Sequence, residues 1–115
     1  MWTLPKIPTA HNTALRQHWA VRSRDRKNWG ELVNAICRHP STCLVDEVVE
    51  LDITVFRNRL QDPDNAIASL KPLIDAIKCA GWLVDDDCAR LVLKAQQVKC
   101  TKVEQRTEVK WRITQ

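Results

Sequence analysis

The sequence predicts an α+β domain, a small mixed β-sheet packed with two main helices in the order β-α-β-α-β-β. Three observations predict it. Apolar residues alternate with period two in several short segments, they recur at three- and four-residue steps in two longer ones, and the two patterns interleave along the chain. A length of 115 residues fits one domain spanning 1–115, and 44% hydrophobic with 28% charged residues is the composition of a chain that packs a core.

The elements follow in order. Trp2-Thr3-Leu4 reads as a short strand stopped by Pro5 and Pro8. From Thr13 to Cys37 there is no proline, and Leu15, Trp19, Trp29, Leu32, Val33 and Ile36 recur as a helical face does. The stretch Arg22–Asn28 is so polar that this helix is expected to begin only near Lys27 and to end at His39-Pro40. Val49, Leu51, Ile53 and Val55 then alternate with Glu50, Asp52 and Thr54, the signature of a half-buried strand. In Asp64–Ala80, Ile67, Leu70, Ile74 and Ile77 form a helical stripe, with Gly81 as the residue just past the helix. Pro72 leaves its start open: from Asn65 the proline would kink the helix, and from Ser69 it would fall harmlessly in the first turn. Leu91, Leu93 and Ala95, and later Thr107, Val109, Trp111 and Ile113, mark two more strands, expected to form a hairpin across Lys99–Gln105. No repeat or low-complexity segment interrupts the pattern.

Composition narrows the function classes. No uncharged apolar run is long enough to span a bilayer and the N-terminus lacks a signal-peptide apolar core, so a cytoplasmic protein with no membrane partner is expected. The net charge is +4, and residues 1–40 hold seven basic against two acidic residues while the remainder is nearly balanced. A basic front half and an acid-bearing back half suit a protein that grips phosphates with one surface and a metal with another, although a solvated basic helix face would look the same. The five cysteines are odd in number and form no Cys-x-x-Cys pair, which speaks against a disulfide framework or a zinc ribbon. The five tryptophans read as core by default. One could stack on a nucleic acid, but the sequence does not say which.

Acidic residues concentrate in one region. Pro63 restricts Asp62 to extended backbone, and in an extended chain Asp62 and Asp64 project to one face, where a hard cation would relieve their repulsion. Asp-Pro-Asp-Asn is equally good helix-capping chemistry, with Asp64 as the cap. An EF-hand loop is excluded, because counting from Asp62 puts Ile67 where glycine is needed and Leu73 where the bidentate glutamate is needed. On a continuous helix Lys71 and Asp75 each lie about 20° from Asp64 around the axis, giving one polar line; the plain alternative for Lys71 and Asp75 is a surface ion pair. Asp85-Asp86-Asp87 follow Gly81 by a few residues and are either a solvated acidic turn or further cation ligands.

Asp62-Pro63-Asp64-Asn65, Lys71-Pro72, Asp75-Ala76, Gly81 and Asp85-Asp86 together resemble the RusA family of Holliday-junction resolvases, whose pattern is Asp-x-Asp-Asn, a helix with Lys and Asp, then Gly and Asp-Asp. Thr3-Leu4-Pro5, Pro8 and Asn12 are similar to the family's opening strand and loop, so the likeness covers most of the chain. The resemblance implies a homodimeric endonuclease that nicks four-way DNA junctions symmetrically in recombination and repair, with Mg²⁺ or Mn²⁺ as cofactor, in a bacterial or phage-infected cell. It implies Asp62, Asp64 and Asp86 as metal ligands, Lys71 as the active-site lysine, and Asn65 and Asp75 as supporting positions. The acidic run is three long here, so Asp85 or Asp87 could replace Asp86, and the step from Asp64 to Lys71 is about one helical turn longer than in the family. Arg22, Arg24, Arg26 and Lys27, with Arg57 and Arg59, are the expected contacts to the DNA backbone. The alternatives are a junction-binding protein without nuclease activity, another metal-dependent phosphodiester or nucleotide hydrolase, and last a purely structural protein.

Overall fold

The computed structural model describes residues 1–37, 47–84 and 89–114. The chain runs β1 (Trp2–Leu4), α1 (His11–Arg16), α2 (Trp19–Ile36), β2 (Val48–Arg57), α3 (Pro63–Ala68), α4 (Lys71–Cys79), β3 (Leu91–Lys99), a 3-10 turn (Lys102–Glu104) and β4 (Arg106–Thr114). This is the expected α+β order with each helical segment divided in two. The sheet is mixed, in the order β1-β4-β2-β3, with β2–β3 parallel and the other two pairings antiparallel.

The expected hairpin between the last two strands does not form, because β2 lies between them. Burial explains the choice. Val49, Leu51, Ile53 and Val55 make β2 the most continuously apolar strand, and it takes a central position. Thr107 and Val109 of β4 are fully buried between β1 and β2, whereas only Leu91 of β3 is buried. The polar run Gln96-Gln97 with Lys94 and Lys99 belongs on an edge, where it discourages further strand pairing.

Both helix boundaries have local causes. Helix α2 begins at Trp19 rather than near Lys27, because His18 caps it: the His18 Nδ1 accepts from Ala20 N–H at 3.2 Å. Its first turns stay helical though polar, since arginine and lysine are good helix formers and only Trp29 and Val33 need burial. The helix ends at Ile36, with Cys37 as its C-cap, and so stops short of the expected His39-Pro40, which lie outside the described residues. Helices α3 and α4 separate at Ser69-Leu70. Continuing α3 would set the Pro72 ring against the Ala68 carbonyl, so α3 stops at Ala68 and Pro72 lies in the first turn of α4. Gly81 closes α4 at φ 92°, with Gly81 N–H on the Lys78 carbonyl and Trp82 N–H on that of Ile77.

Helices α2 and α4 pack against each other over one face of the sheet, enclosing Leu4, Trp29, Val33, Leu51, Ile53, Leu73, Ile77 and Val109. Trp82 links Trp2 and Trp111 through edge-on ring contacts of 4.9 and 5.1 Å, and Trp111 Nε1 donates to the Trp82 carbonyl at 2.8 Å. Among the described residues no helix covers the opposite face, which carries an ion triad in which Glu50 is held between Arg112 and Lys94. No helix among the described residues is long and apolar enough to cross a membrane.

Candidate functional site

Beyond Arg57 the chain leaves the sheet and its backbone needs new partners. Side-chain amides supply them. Asn58 N–H donates to Gln105 Oε1 at 3.0 Å, and Asn58 Nδ2 to the Cys100 carbonyl at 3.3 Å. Gln61 N–H donates to Gln97 Oε1 at 2.9 Å, while Gln97 Nε2 donates to the Gln61 carbonyl at 2.8 Å. One side chain thus imitates a ladder partner for Gln61, and Asp62 follows directly. Gln97 escaped sequence reasoning, but a signal was there: it is the polar residue at the inward phase of β3, after Leu91, Leu93 and Ala95.

Asp62 has φ −59° and ψ 144°, the extended conformation a following proline imposes. Pro63 then opens α3, and Asp64 stands in its first turn. The two carboxylates therefore sit at a loop–helix junction and not on one face of a strand, because β2 has already ended at Arg57. Capping does not account for them either. Asp62, not Asp64, is the N-cap, and its side chain accepts no capping hydrogen bond. Both residues are exposed, and neither side chain has a hydrogen-bond or ion-pair partner among the described residues. Exposed oxygen donors with no protein partner are the chemistry a hard divalent cation takes. Among the described residues no group of three or more His, Cys, Asp or Glu converges on one point. Asp85, Asp86 and Asp87, expected to complete the set, lie outside the described residues.

Asn65 braces the start of α3 against α1, its Oδ1 accepting from Asn12 N–H at 3.2 Å. Lys71 and Asp75 form an ion pair at 2.9 Å on α4. The break at Ser69-Leu70 puts Asp64 on a different helix, so the single polar line through Asp64, Lys71 and Asp75 is not continuous.

Between α1–α2 and α3–α4 lies a groove with a cavity of about 400 Å³, lined among others by His11, Arg22, Arg26, Ala68, Lys71 and Asp75. Its acids are engaged: Asp25 pairs with Lys6 at 2.8 Å and Asp75 with Lys71. Arg22 Nε is buried without a hydrogen-bond partner, and neither Arg22 nor Arg26 has an ion pair among the described residues. Arg24, Lys27 and Arg59 are exposed. Arg57 departs from expectation. It is buried, its Nη2 donates to the Pro8 carbonyl at 2.8 Å, and burial draws its pKa below the usual guanidinium value, so it ties the N-terminal loop to β2 instead of facing DNA.

A scan against protein-family models and a search of curated proteins found no match to this chain.

Proposed function

We propose that this chain is a metal-dependent, structure-selective endodeoxyribonuclease that resolves four-way DNA junctions by paired symmetric nicks, as its resemblance to the RusA family suggests. The observation that carries the reading is the pair of exposed, unpartnered carboxylates Asp62 and Asp64, at the start of a helix whose last residue, Ala68, lines a groove holding Arg22, Arg26 and Lys71. Asp62 and Asp64, with Asp86 or a neighbour in Asp85–Asp87, would hold Mg²⁺ or Mn²⁺. When bound, the ion supplies polarisation of a phosphoryl oxygen and a water of lowered pKa.

The chain's own residues do the rest. Gln97 and Asn65 fix the segment that carries the two aspartates. Asp75 orients Lys71, whose ammonium offsets negative charge as it builds on the phosphate. Arg22, Arg24, Arg26, Lys27 and Arg59 bind backbone phosphates and make affinity fall steeply with salt. A two-fold homodimer would set two such sites on opposed strands of a two-fold junction, in the cytoplasm.

Cleavage of a labelled synthetic four-way junction, with and without Mg²⁺ and alongside Asp64→Asn, tests the reading. Paired, symmetric, metal-dependent nicks that vanish in the variant are expected. Tight, salt-sensitive binding without cleavage in Mg²⁺ or Mn²⁺ would leave a non-catalytic junction-binding protein. Preference for flaps or nucleotides over junctions would leave a different hydrolase.

A further inference from the structure

Four of the five tryptophans pack into the core or into a ring cluster; among the described residues Trp19 has only the neighbouring His18 ring beside it. Trp29 is fully buried and Trp2, Trp82 and Trp111 form one cluster, whereas Trp19 is 69% exposed at the first turn of α2. An indole left in water at the start of a rigid helix is a large apolar area open to a ligand. The His18 ring lies beside it, centroids 5.4 Å apart, and is held by its capping bond to Ala20 N–H. At 3.6 residues per turn, Arg22 and Arg26 fall on the Trp19 side of the helix. Both line the groove, where Arg22 Nε is buried and has no hydrogen-bond partner among the described residues.

The charge around the ring selects its partner. Arg22 and Arg26 lie on its side of the helix, neither with an ion pair among the described residues, Arg24 and Lys27 add positive charge elsewhere on α2, and Asp25 is occupied by Lys6. A second copy of this surface would meet it with the same positive charge. A lipid surface could meet the indole but could not follow Arg22 and Arg26 into the concave groove they line. An exposed indole on the same side of α2 as Arg22 and Arg26, which line a cavity of about 400 Å³, matches an unpaired nucleotide, its base against the indole and its phosphate reaching the groove.

We propose that Trp19 is a stacking platform for an unpaired base of a nucleic acid, with Arg22 and Arg26 taking the adjoining phosphate. The inference rests on the nucleic-acid part of the proposed function and not on its cleavage chemistry. It would let the protein grip bases that a junction or another branched structure leaves unstacked.

The test is a fluorescence titration of the full chain with a short oligothymidylate in EDTA, repeated over a range of salt. Quenching of part of the tryptophan emission is expected. Trp19→Ala should abolish that quenching and weaken binding by about 5- to 100-fold without changing the salt slope, and Trp19→Phe should retain most of the affinity. The double variant Arg22→Gln/Arg26→Gln should instead lower the salt slope. Circular dichroism on each variant checks folding. Trp19→Ala binding within twofold of the parent, or no binding by the parent, overturns the proposal. So does a change in sedimentation of Trp19→Ala at unaltered affinity, which would make the patch a contact between copies. Junction cleavage by the parent and Asp64→Asn is scored separately. Quenching without cleavage keeps the stacking site and rejects the nuclease, and cleavage without quenching does the reverse.

Discussion

Replacing Gln97 by alanine removes two hydrogen bonds at once, those of 2.9 and 2.8 Å to the Gln61 N–H and carbonyl. Each is worth about 0.5–1.5 kcal/mol net, and the Gln61 backbone is only partly buried, so water can recover some of the loss. Global stability should therefore fall by about 1–2 kcal/mol, or roughly 4–10 °C in Tm for a domain of this size. On the proposed function, the effect on junction cleavage should be larger. Asp62 is the next residue after the clamp, and a displacement of about 1 Å in a group that positions the reaction can cost about 100-fold in rate. Gln97→Glu separates the two bonds: its carboxylate still accepts from Gln61 N–H but repels the Gln61 carbonyl. It should be no better than alanine, even though it keeps the size of glutamine. Junction cleavage as a function of Mg²⁺ concentration, beside urea unfolding of both variants, reads the two effects. If Gln97→Ala unfolds at the parental midpoint and cleaves at the parental Mg²⁺ dependence, the amide clamp positions nothing and the reasoning fails.

Other outcomes follow from single sites. Hydrogen bonds from Arg112 and Lys94 hold the Glu50 pKa at about 2 against an ordinary 4.5. Because the folded state binds this proton less readily, the triad's stabilisation is complete above about pH 4.5 and is lost as pH falls toward 2. Unfolding midpoints between pH 5 and 2.5 should show that loss, and Glu50→Gln should flatten it; an unchanged slope in the variant counts against the triad. Burial pushes the Cys37 thiol up to about 11, while Cys79 is exposed. Mass spectrometry after brief iodoacetamide treatment near pH 8 should find Cys79 modified well before Cys37, and the reverse order would contradict the burial. Gly81→Ala forces a side chain onto φ 92° and should destabilise the fold by about 1 kcal/mol, read by thermal unfolding, with no effect if α4 tolerates another ending.

Much of the fold was legible because it rests on period. Alternation in Val49–Val55 and Thr107–Ile113 is a property of each segment alone, and so is the stripe of Leu70, Ile74 and Ile77. Pairing is a property of two segments, and nothing in β3 or β4 announces that Val109 will meet Ile53 of β2 instead of a residue of β3. The helix starts were hidden for a similar reason. A histidine cap at His18 outweighs the polarity of Arg22–Asn28, and Pro72 acts through the carbonyl of Ala68, four residues back. In the candidate site, Asp62, Asp64 and Asn65 could be named from residue type and spacing. Their tertiary supports could not, since Gln97 reaches Gln61 across 36 residues and Asn12 reaches Asn65 across 53. The burial of Arg57 was not legible, because charge alone does not reveal that Pro8 will offer a buried carbonyl.

The placement of β4 has a consequence for the order in which the chain can assemble. Strands β2 and β3 can pair as soon as α3 and α4 have crossed between them, but β1 has only β4 as a neighbour, with Trp2 opposite Val109. Strand β1 must therefore wait for β4, and until β4 inserts, one edge of β2 stands open with Leu51 and Ile53 beside it. Contacts that span nearly the whole chain close slowly. A nascent or nicked molecule short of β4 would thus hold an intact parallel pair beside a sticky edge, the kind of species that chaperones retain and that aggregates when they do not.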